Sequence, residues 1–95
     1  MNEDEFEQRL AHFQEVCRSD GLKLTYQRIV IFEEVAKSQD HPDAETVFRG
    51  VRDRVPTVSL DTVYRTLWML NAMGLITTVG PPREKVRFAA DTSPH

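Results

Sequence analysis

SLDTVYRTLWMLNAMGL, residues Ser59–Leu75, decides how the rest of the chain is read. Ser59 has the side chain of a helix N-cap, and Gly74 suits a left-handed stop. Between them each residue turns about 100° around a helix axis. On that wheel Leu60, Val63, Leu67 and Leu70 form one apolar stripe, the pattern of a core face. Asp61, Tyr64, Arg65, Trp68 and Ala72 fall on the other side. Tyr64 and Trp68 are neighbours one turn apart, an unusual pair to leave on an idle surface.

The neighbouring segments supply the partners this stripe needs. Phe6, Leu10, Phe13, Val16 and Cys17 recur at helical spacing and predict a first helix ending before Asp20-Gly21. Thr25 caps a second helix with Ile29, Phe32, Val35 and Ala36 inward, and Asp43 caps a third with Ala44, Val47, Phe48 and Val51 inward. Pro42 discourages helix at His41, and Pro56 ends the third helix. After Gly74 the period changes: LITTV and KVRFA are short β-type segments separated by the turn-forming GPPRE. A two-stranded hairpin is too small to stand alone and must pack on the helices. The fold class is therefore mainly α with a small β-hairpin, a winged helix-turn-helix. Its expected organisation is an acidic N-terminal helix over 1–20, the winged-helix domain over 21–90, and the start of a linker over 91–95.

Ninety-five residues, 40% hydrophobic and 28% charged, suit one folded domain. No apolar run approaches the roughly 20 residues of a membrane span, and the N-terminus is acidic where a signal peptide is basic. One cysteine allows no internal disulfide and no Cys-rich zinc site, which fits a reducing, cytoplasmic setting. Cys17 reads as a plain buried thiol. The net charge of −3 at first opposes nucleic acid, but residues 1–20 carry six acids and two bases while residues 21–95 carry nine acids and ten bases. A basic face outside the first segment is compatible with that distribution.

The fourth helix offers the chemistry such a face needs. Arg65 can donate two hydrogen bonds to guanine or grip phosphate, and tyrosine can pack on a thymine methyl or bond phosphate. A helix in the major groove meets bases with its N-terminal half, where Ser59, Thr62, Tyr64 and Arg65 lie. Arg83 and Lys85 at the hairpin tip suit the flanking backbone. The same residues also fit a solvated face or a protein-binding surface built on Tyr64 and Trp68. No phosphate-binding glycine loop, acid/base constellation or nucleophile motif argues for an enzyme.

Four blocks in order, GLKLTYQR (21–28), HPDAETVF (41–48), SLDTVYRTLWMLNAMGLI (59–76) and KVRFA (85–89), resemble the N-terminal domain of the ferric uptake regulator family. That family includes iron, zinc, manganese, nickel and peroxide sensors. The resemblance implies a sequence-specific DNA-binding domain of a metal-dependent repressor, with the peroxide-sensing branch included. Tyr64 and Arg65 then match the groove-reading pair, and Lys23 matches a lysine that enters an A/T-rich minor groove. Arg28 closes the first block among the DNA-contacting candidates. The expected partners are double-stranded DNA with an A/T-rich palindromic operator and a second copy of the chain, joined through a C-terminal domain lying beyond His95. A regulatory divalent metal, iron, manganese or zinc, would take His41 and His95 as ligands, which spacing alone would read as surface residues. A carboxylate usually follows the RF pair in the family, and this chain has Ala89 there.

Overall fold

The computed structural model describes residues 3–19, 21, 23, 25–38, 41–80 and 86–90. Four helices are followed by a hairpin: α1 Glu3–Ser19, α2 Tyr26–Lys37, α3 Ala44–Arg52, α4 Leu60–Ala72, β1 Thr77–Val79 and β2 Arg87–Ala89. Three helices start at the expected caps, where orphan amides need an acceptor. Thr25 Oγ1 accepts from the Arg28 amide at 3.2 Å, Asp43 Oδ1 from Thr46 at 2.8 Å, and Ser59 Oγ from Thr62 at 3.1 Å. α4 ends in a double turn of hydrogen bonds. Gly74, at φ +77°, donates to Asn71 and Leu75 donates to Leu70. This is the Schellman arrangement, and the left-handed residue at its centre is the reason for glycine there.

α2 is the central helix, packed against α1, α3, α4 and β2. That explains a departure from its predicted face. Val30 and Ile31 are buried with Phe32, Val35 and Ala36, while Ile29 is only half-buried. A helix covered on several sides loses the single stripe that periodicity detects. Phe32 stacks on Phe6 at 6.1 Å and meets Phe13 at 5.5 Å, so the acidic first helix contributes to the common core. Arg9 also reaches the carbonyl of Ala90 at 2.5 Å, tying α1 to the chain just after β2. Cys17 is buried, as expected of a plain thiol.

On α4 the inner stripe holds: Val63, Leu67 and Leu70 are fully buried, with Leu60 half-buried at its start. Thr66, a polar residue absent from the apolar pattern, is buried beside them. β1 and β2 pair antiparallel in the register Thr77↔Ala89, Thr78↔Phe88 and Val79↔Arg87. The first strand is shorter than the LITTV pattern suggests. Leu75 and Ile76 are buried in the core, and Leu75 is held by the α4 cap, so extended pairing begins only at Thr77. On its other side β2 meets the segment entering α3. Phe88 donates to the Pro42 carbonyl at 2.9 Å, and Asp43 and Arg87 form an antiparallel bridge.

The outer side of α2 is joined to the end of α3 by charge. Glu33 accepts from Lys37 at 2.5 Å and from Arg54 at 2.6 Å. Partial burial pushes the Glu33 carboxyl up, but the hydrogen bonds from Lys37 and Arg54 and their charges outweigh it, so its pKa lies below the ordinary value.

Two outcomes follow from this packing. Phe88→Ala should cost about 3–5 kcal/mol in denaturant unfolding, the range for emptying a buried phenylalanine site. Glu33→Gln should cost about 1 kcal/mol at neutral pH. Because the folded pKa is depressed, that contribution is complete above the free glutamate value of about 4.3 and is lost as pH falls through the lower folded value. Unfolding curves of wild type and Glu33→Gln should therefore converge on acidification below about pH 4.

Candidate nucleic-acid interface

With Val63, Leu67 and Leu70 committed to the core, α4 carries Asp61, Tyr64, Arg65 and Trp68 on its opposite side. Tyr64 and Trp68 are each 44% exposed. The Arg65 side chain is 81% exposed, and its Nε lies 3.0 Å from Asp61 Oδ2, one turn earlier. At the start of the helix, Ser59 Oγ and Thr62 Oγ1 lie 2.9 Å apart while Ser59 also caps the Thr62 amide. Both hydroxyls are engaged in shaping the helix start. The first-turn amides there carry the positive end of the helix dipole, which favours an anion such as phosphate.

Trp68 has an intramolecular role that sequence reasoning missed. Its ring meets Phe88 of β2 edge-on, 5.7 Å between centroids at 77°. This is the favourable aromatic geometry, with a positive ring edge against a negative face. The tryptophan is therefore a strut between α4 and the wing as well as a surface residue. Tyr64, Trp68 and Val86 line a shallow notch of about 90 Å³ whose remaining lining residues are Asp43 and Glu45. The sequence signal for the strut was present, an aromatic at the edge of the outer face and an aromatic in the following strand, but only the tertiary fold pairs them.

The other predicted residues are distributed as follows. Lys23 is exposed, and its carbonyl accepts from Arg28 Nη1 at 2.6 Å. Arg28 thus braces the segment that carries Lys23. Arg83, Lys85 and His95 lie outside the described residues. Arg87, exposed at the start of β2, is a wing cation that the sequence reading passed over, although its alternation with buried Phe88 marks it as outward.

Of the two expected metal ligands, His41 is among the described residues and His95 is not. His41 is exposed and adopts φ +51°, in the left-handed region rather than the extended one that a following proline favours. Ala89 is buried and its methyl group offers no donor atom. Among the described residues no three His, Cys, Asp or Glu side chains form a group that could hold a metal ion. No helix among them is long and apolar enough to cross a membrane.

The sequence pattern of the ferric uptake regulator family matches residues 19–95. Ferric uptake regulation protein 1 of Mycolicibacterium fortuitum is 38% identical over 78 residues, covering 80% of this chain and 47% of that protein. The peroxide operon regulator of Bacillus subtilis is 30% identical over 81 residues, covering 85% and 56%. The chain thus spans about half the length of the curated relatives it matches. Among solved structures, the Helicobacter pylori ferric uptake regulator, described as having three functional metal binding sites, superposes with a TM-score of 0.86 over 95% of this chain and 60% of that one. At 22% identity that likeness speaks to the fold.

If Trp68 is a strut, Trp68→Ala should destabilise the domain by about 1–2 kcal/mol, the lost aromatic pair plus its buried area. Tyr64→Ala should cost clearly less. Urea unfolding followed by circular dichroism checks the order, and equal costs would remove the strut from the account.

Proposed function

The chain belongs to the ferric uptake regulator family, and on that premise we propose that it is the sequence-specific DNA-binding part of a metal-dependent transcriptional repressor. α4 enters the major groove with its N-terminal half leading, Arg65 and Tyr64 meeting bases and backbone. Arg87 lies along the flanking phosphates, Lys23 reaches the adjacent minor groove, and Arg83 and Lys85 are further candidate phosphate contacts by their charge. Narrow A/T-rich minor grooves concentrate negative potential, which suits a lysine and an A/T-rich operator. The observation that carries the reading is the outward arginine and tyrosine on a helix whose opposite side buries Val63, Leu67 and Leu70.

A palindromic operator and a dimer go together in this proposal, since two α4 helices about 34–36 Å apart would meet successive turns of the same groove face. The divalent metal, iron, manganese or zinc, belongs to the whole regulator. Among the described residues no three potential ligands form a complete site for it, and Ala89 has no donor atom. DNA recognition is accordingly assigned to this domain with no step passing through a metal. The competing reading, a protein-binding module, drew its force from an exposed tryptophan. Packing of Trp68 on Phe88 gives that residue an internal purpose and weakens the case.

Fluorescence anisotropy with an A/T-rich inverted-repeat duplex tests the proposal. Binding should weaken roughly 10–100-fold as salt rises from about 50 to about 200 mM, the response expected when a few phosphate contacts release counterions. Arg65→Ala should cost about 1–3 kcal/mol on a preferred sequence. Salt-independent binding, or a larger loss from Trp68→Ala than from Arg65→Ala once folding is matched, would contradict it.

A further inference from the structure

Asp61 is an odd residue for a face that meets DNA. It stands in the first turn of α4 with its side chain 71% exposed, where a carboxylate would approach phosphates of like charge. Its ion pair with Arg65 is a poor explanation in terms of stability, because exposed pairs at this spacing contribute little to folding. The geometry of the pair gives a better one. Arg65 approaches Asp61 through Nε at 3.0 Å. A guanidinium has five N–H donors in a rigid planar fork, so engagement at Nε leaves Nη1 and Nη2 to present donors side by side on the far edge. That edge matches the O6 and N7 acceptors of guanine in the major groove.

We infer that Asp61 is a positioning residue for Arg65: it orders the guanidinium before DNA arrives and aims its outer edge at a guanine. The inference rests on the DNA-reading role proposed for Arg65. Arginine is long and rotamer-rich, so ordering it in the free protein removes part of the cost of binding. The ordering favours one base over others because only a correctly placed fork makes both hydrogen bonds. The carboxylate has the opposite effect on duplexes that lack the guanine, where it adds repulsion and no compensating contact. Asp61 therefore trades general DNA affinity for discrimination, a difference between two affinities rather than a gain in either.

Selection from a randomised double-stranded oligonucleotide pool, followed by sequencing, tests this with the whole 95-residue chain. Four proteins are compared, wild type, D61A, D61N and R65A, each checked for unchanged helix content by circular dichroism. Wild type should enrich a guanine at one position of its motif, and R65A should lose that preference. D61A should lose at least about fivefold of it while binding the unselected pool more tightly, given the discrimination one bidentate contact provides. D61N, whose amide oxygen can still accept from Nε, should keep part of it. A D61A motif with the guanine preference of wild type, and only tighter binding to all duplexes, overturns the positioning role while leaving the DNA-reading role of Arg65 intact. A motif unchanged by R65A overturns both.

Discussion

Phe88 joins three parts of the chain that are distant in sequence. Its ring is fully buried, its amide donates to the Pro42 carbonyl, and the edge-to-face contact with Trp68 ties it to the outer side of α4. The hairpin it belongs to has only three residues in each strand, too little to be stable in water by itself. β1 is exposed along its length, so the wing is attached through β2, and in β2 Phe88 supplies the large buried side chain. The orientation of wing to helix, which any groove-and-flank mode of DNA binding needs, therefore rests on this aromatic side chain and its two neighbours together with the Asp43–Arg87 bridge and the Arg9–Ala90 hydrogen bond.

The helical part rests on a simpler constraint. Val63, Leu67 and Leu70 are spent on the core, and no neighbouring element covers Tyr64, Arg65 and Trp68 fully on the other side. Caps at Ser59 and Gly74 fix where α4 begins and ends, and so fix which residues occupy its N-terminal half. The acidic α1 packs against α2 through Phe6 and Phe13. This is how a chain of net charge −3 can still offer an arginine-bearing surface: the surplus of acid is concentrated in its first twenty residues.

Much of this was legible in the sequence because local physics decides it. Thr25, Asp43 and Ser59 have short side chains that reach back to an amide, Gly74 tolerates a positive φ, and the α4 stripe repeats at the helical period. What local rules could not give was set by tertiary contacts. Val30 and Ile31 are buried because α2 is enclosed by its neighbours, and Thr66 because its position on α4 faces inward whatever its polarity. Trp68 was legible as an outward residue but not as a strut, since its partner lies twenty positions later in a strand. His41 was expected to avoid helix before Pro42, and it does, yet its left-handed backbone had no signal in the residues around it. Ala89 is legible in the sequence as a side chain with no donor atom, and the fold buries it.

The central claim is that α4 and the wing form one DNA-facing surface. A titration of the isotope-labelled chain with A/T-rich duplex, followed by amide chemical shifts, addresses it most directly. The account predicts the largest changes over residues 59–68 and in the wing at 77–79 and 86–87, with α1 nearly unmoved. Changes concentrated on α1 and α3, with the amides of α4 unperturbed, would contradict it.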